Sequence, residues 1–186
     1  MQIRNDIANG IVRISDEGAQ LVAITADDSR GRTDVPLQSF LRRMREAFDV
    51  DVVFVSQFVD GNRVIRAVDC DPDDEFGVPE GASDPLEASY CFHVAEGRLP
   101  QVIPDTSAEP LAMAIPGTHK ARVGSHLSVP IIGPEGKAFG TVCCFSHEPD
   151  ASIGTQVQLE MLKTVAALLA DTFAPELPGR YDQARS

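Results

Sequence analysis

"SHLSVPIIGPEGKAFGTVCCFS", residues 125–146, decides the fold class. Two runs with strand composition, 125–132 and 138–146, flank "GPEGK", whose glycines and proline provide the backbone geometry of a tight reversal. So short a connection cannot join parallel strands, and the pair must be antiparallel. Successive strand residues face opposite sides. One of Cys143 and Cys144 therefore faces the helix-covered side of the sheet and the other a pocket side. Upstream, "DVVFVSQFV" (51–59), "DGN" and "RVIRAV" (63–68) form a second hairpin. Both alternate sets of its first strand are apolar, so both faces should be covered.

Helical periods bracket the hairpins. Leu37, Phe40, Leu41, Met44 and Phe48 recur at helical spacing behind Asp34, a cap, and Pro36, suited to a first turn, which predicts a helix over about 35–48. Thr155 and Gln158 cap a long helix carrying Met161, Leu162, Val165 and Leu169. Between the hairpins, Asp84, Pro85 and Glu87 form a capping-box-like start for a helix running toward Gly97. "QVIPD" (101–105) reads as a short strand, and "AEPLAMAIPG" (108–117) as a helical turn ended by Pro116 and Gly117. Residues 1–34 read as an N-terminal extension with a strand or two, 35–173 as one domain and 174–186 as a tail. The fold class is α+β: a central antiparallel sheet with terminal helices on one face and an irregular middle on the other.

Charge and motifs exclude several functions. At a formal charge of −12 the chain does not suit a nucleic acid backbone, whose binding draws on Lys and Arg. No run of about 18 apolar residues offers a membrane span, and no secretory signal opens the chain, so a cytoplasmic location is expected. The four cysteines lack CxxC spacing and are expected as free thiols. His119, His126 and His147 are irregularly spaced, so a metal is not expected. "DCDPDDEFGVPE" (69–80) resembles a calcium loop only superficially, with Asp74 where glycine is needed and Pro72 and Pro79 interrupting it. Signatures of common catalysts are missing: GxGxxG, the P-loop, GxSxG and HExxH. In "SYCFHV" (89–94), helical geometry points Cys91 and His93 about 200° apart, so they cannot form one dyad. Cys91 reads as a small buried residue of a pocket wall and His93 as a partly exposed polar one.

"PLEASYCFHVAEGRLPQVIPD" (85–105) and "GSHLSVPIIGPEGKAFGTVCCFS" (124–146) resemble a GAF domain of the kind found in bacterial sensors beside diguanylate cyclase and phosphodiesterase modules. The resemblance covers about 35–173. It implies a sensory, non-catalytic, small-molecule-binding domain, dimeric through its terminal helices, that signals to a partner chain; the ligand is left open. By position, the pocket would be lined by Phe54 and Gln57, by Tyr90, Cys91 and Val94, by Asp105, by His126 and Ser128, and by Cys143 and Phe145. Where relatives commonly have Ser-Tyr, this chain has Ser125-His126, which brings a titratable ring near the pocket. Two branches of the fold supply alternatives. Bilin photoreceptors carry a cysteine followed directly by histidine, whereas Phe92 intervenes here. Free methionine sulfoxide reductases use pocket cysteines, and Cys91, aided by His93 or His126, would be the nucleophile of such a thiol-dependent redox enzyme or sensor, although their cysteine arrangement is not reproduced.

Overall fold

The computed structural model describes residues 34–173, with side chains over 37–170. The strands expected before Asp34 and the tail from 174 lie outside the described residues. The elements run α1 (Asp34–Phe48), β1 (Val52–Val59), β2 (Asn62–Cys70), β3 (Ser83–Pro85), α2 (Tyr90–Ala95), β4 (Val102–Ile103), α3 (Pro110–Ala114), α4 (Pro116–Lys120), β5 (Ser125–Ile132), β6 (Ala138–Ser146) and α5 (Gln156–Phe173). The six strands form one sheet in the order β3-β2-β1-β6-β5-β4, and every neighbouring pair is antiparallel.

Both hairpins form as their composition dictates, and the central join is β1 against β6, Val52 opposite Phe145 and Gln57 opposite Gly140. There the Ser56 and Thr141 hydroxyls, both buried, meet at 2.8 Å. Alternation then sorts the side chains into two cores. Val53, Val55, Leu127, Val129, Val142 and Cys144 pack with Leu41 and Met44 of α1 and Leu162 and Val165 of α5. Val52, Phe54, Cys143 and Phe145 face the other way, under α2 to α4. Burying both faces accounts for a first strand with no polar set. A bulge where Val55 opposes Ala67 but Ser56 opposes Ile65 flips the alternation of β2, so Ile65 and Val68 share the second core while Ala67 joins the first.

Termini follow capping chemistry, with two corrections. At α5 the capping box is reciprocal: Thr155 Oγ1 accepts from the Gln158 N–H at 3.3 Å, and Gln158 Oε1 accepts from the Thr155 N–H at 2.9 Å. The middle helix, expected from Pro85, starts only at Tyr90 with Ser89 as its cap. Residues 83–85 are instead an edge strand on β2, a 3₁₀ turn follows at Leu86–Ala88, and the Asp84 carboxylate is taken by Arg63. Long-range pairing overrides the local helix signal there. Likewise Pro116 does not end the 110–114 helix region; it opens α4 at a first-turn position, where its missing N–H costs nothing.

Candidate functional site

On the sheet face away from α1 and α5 lies a cavity of about 60 Å³. Phe54, His126 and Phe145 of the sheet form its floor, Tyr90 and Cys91 of α2 one wall, and Ile115, Ala121 and Val123 another. Ser89 sets the wall in place, because its Oγ accepts from the Phe92 N–H at 3.3 Å while donating to the Leu86 carbonyl at 2.8 Å. One hydroxyl thus stops the 3₁₀ turn and starts the helix that carries Tyr90 and Cys91.

His126 is 1% exposed, and among the described residues neither ring nitrogen has a hydrogen-bond partner. Burial lowers its pKa to about 3, so at neutral pH the ring is uncharged, with one N–H donor and one lone pair. The Tyr90 ring lies over it with centroids 4.6 Å apart. The Tyr90 hydroxyl is already committed: Thr118 Oγ1 gives its hydrogen to the Ala112 carbonyl at 2.5 Å, so Tyr90 donates to Thr118 at 2.6 Å. Burial raises the Tyr90 pKa. Arg63, paired through Nη2 with Asp84, brings its charge to the same cavity, and its buried Nε has no partner among the described residues.

Cys91 Sγ lies 3.6 Å from Cys143 Sγ, and Cys143 Sγ lies 3.0 Å from Thr141 Oγ1 and 3.1 Å from Ser128 Oγ. Both thiols are buried. Burial alone would raise Cys91, but the Cys143 hydrogen bond, the Arg63 charge and the Ser56 and Thr141 hydroxyls outweigh it and lower it to about 6. Burial and the neighbouring Cys91 push Cys143 up. Cys144, facing the helices, is pushed far up by burial alone.

A family model described as the GAF domain matches residues 33–173. The chain belongs to the GAF family. No curated protein matches it. Similar solved structures include the GAF domain of an Acinetobacter phosphoenolpyruvate-protein phosphotransferase, at 18% identity over 83% of this chain and 90% of that one, with a TM-score of 0.63. The type II free methionine-R-sulfoxide reductase from Thermoplasma acidophilum is 18% identical over 74% of this chain and 89% of that one, with a TM-score of 0.57. A far-red cyanobacteriochrome photoreceptor is 14% identical over 77% and 86%, with a TM-score of 0.59. At these identities the likeness is one of fold alone.

In this GAF domain five of the expected pocket residues converge on the cavity: Phe54, Tyr90, Cys91, His126 and Phe145. Val94, Ser128 and Cys143 are buried on the same side of the sheet without lining the cavity. Two expected residues stand away from it. Gln57 alternates with Val53 and Val55 onto the helix side, where its Oε1 accepts from Arg66 Nε at 2.8 Å. The Asp105 carboxylate caps a 3₁₀ turn, accepting from the Ser107 N–H at 2.9 Å. His93 points away from Cys91 as its spacing requires, yet it is buried rather than partly exposed, its Nε2 donating to the Glu87 carbonyl at 3.0 Å. Arg63, Ile115 and Val123 line the cavity without having been expected there. The available signal was an arginine two residues from Ile65, in the inward set of β2. The acidic loop is tied down where Asp74 Oδ1 accepts from His147 Nε2 at 3.0 Å. Among the described residues no group of three or more His, Cys, Asp or Glu is arranged to hold a metal, and no helix is long and apolar enough to cross a membrane.

Proposed function

We propose that this GAF domain is a regulatory module that binds a small molecule in the cavity beneath α2, with His126 reading a polar group of the ligand. The observation that carries the reading is the His126 ring: buried, uncharged, and with both nitrogens unpaired at the cavity floor. Buried polar groups are normally hydrogen-bonded, so a ring left without partners favours a ligand that supplies them. Such a ligand both accepts from and donates to an imidazole, as an amide or hydroxyl group does, and sets an apolar body against Phe54, Ile115 and Phe145. Binding orders the segment over about 69–120 and shifts the packing of α1 and α5 across a homodimer, which passes the event to a partner chain.

The test is a fragment library of small amides, alcohols and heteroaromatic compounds screened by protein-observed amide NMR. Expected are shifts clustered at Tyr90, Cys91, Val123 and His126, lost in His126→Leu. A library that moves none of these amides, or moves them equally in the variant, overturns the reading. Hydrogen exchange with the best fragment checks the transmission. Unchanged protection in α1 and α5 would remove that part while leaving the binding site standing.

A further inference from the structure

We propose that Cys91 and Cys143 form a buried redox pair, which a hydroperoxide arriving through the cavity converts to a disulfide linking α2 to β6. The reading stands apart from ligand binding, because it rests on sulfur geometry. The two Sγ atoms are 3.6 Å apart, from residues 52 positions apart in sequence, and a disulfide requires closure to about 2.05 Å. That closure needs a movement of roughly 1.5 Å, within reach of one short helix sliding over a sheet.

The two thiols differ in position, and the difference assigns their roles. Cys91 lines the cavity and meets what enters it, whereas Cys143 lies behind it on β6. The cavity is roomy enough for a molecule as small as hydrogen peroxide to reach its wall. Against burial, which opposes the charge, the Cys143 hydrogen bond, the Arg63 charge and the hydroxyls of Ser56 and Thr141 favour thiolate at Cys91, the form that attacks an O–O bond. In the first step Cys91 sulfur bonds to the distal peroxide oxygen, the O–O bond breaks, and the leaving alkoxide or hydroxide takes a proton from water. In the second, the Cys143 sulfur bonds to the sulfur of the Cys91 sulfenic acid, its proton leaves with the hydroxyl as water, and the S–S bond closes. Two electrons pass from the thiol pair to the peroxide. Cys70, half-buried at the far end of β2 with a pKa raised by burial and acidic neighbours, is a poor competitor, and Cys144 faces the helix core.

The experiment treats the full chain with hydrogen peroxide at neutral pH, alkylates under denaturing conditions, and maps the peptides by mass spectrometry. Expected is a linked Cys91–Cys143 peptide that dithiothreitol reverses, with Cys70 and Cys144 alkylated and Cys70 oxidised at least about tenfold more slowly. In Cys143→Ser, dimedone should label Cys91 as a trapped sulfenic acid. A linked peptide through Cys70, or no link at all, overturns the proposal without recourse to a variant. A link with an unlabelled Cys91 in folded Cys143→Ser overturns the assignment of Cys91 as the attacking thiol. None of these outcomes bears on the amide shifts that test the ligand site.

Discussion

Replacing His126 with leucine is expected to raise stability by about 1–3 kcal/mol at neutral pH, although the site is fully buried and central to the cavity. Both ring nitrogens are desolvated with nothing returned, and that cost exceeds the roughly 0.5–1.5 kcal/mol of ring stacking on Tyr90 that leucine forfeits. Acid should widen the gap. The folded ring titrates at about 3, well below the unfolded value of about 6.5. Above about pH 6.5 both states are neutral and the group contributes no pH dependence. As pH falls below that, the unfolded chain takes a proton that the folded protein refuses, and stability is lost at about 1.4 kcal/mol per pH unit. By pH 5 the wild type should have lost about 2 kcal/mol that His126→Leu keeps. Urea unfolding of both proteins at pH 7 and pH 5 measures this. A less stable variant, or a gap that narrows toward pH 5, would mean that the ring has partners after all. A side chain that costs the free protein this much supports a function at that position.

Gly140→Ala should produce a loss of about 3 kcal/mol or more. Gly140 sits in β6 between Gln57 of β1 and Ile131 of β5, and its backbone is ordinary strand. Its requirement is space: a Cβ there would lie 2.2 Å from the Ser56 carbonyl oxygen, an atom held by the sheet with no flexible side chain to give way. Relief requires prying β1 from β6, the join that unites the two hairpins. For a domain of this size the melting temperature should fall by about 10 °C. A melt within about 2 °C of wild type would mean that the central pairing is looser than its register implies.

Local signals account for much of what could be read in advance. The hairpins follow from turn residues a few positions away. The α5 cap follows from two side chains three apart, and the doubly covered β1 from its own alternation. Even the opposed faces of Cys143 and Cys144 follow from the strand period. Where the local signals failed, a distant partner had intervened. Asp84 was a reasonable cap until Arg63 claimed its carboxylate and β2 claimed its backbone. The β2 bulge reverses which of its residues face inward, and neither its own period nor its composition shows that.

The amino-acid sequence by itself determined the two hairpins, the terminal helices, the antiparallel class and the two-faced sheet, because each depends on spacings of a few residues that backbone geometry makes physical, while five of the cavity residues were legible only through the resemblance to the GAF family. Only the tertiary structure decided that β1 lies against β6, that the His126 nitrogens meet no partner, that Arg63 reaches the cavity and that Cys91 touches Cys143. Those facts rest on which surfaces meet across fifty to ninety residues of chain. That outcome is set by burying two apolar faces at once, and no local period encodes it.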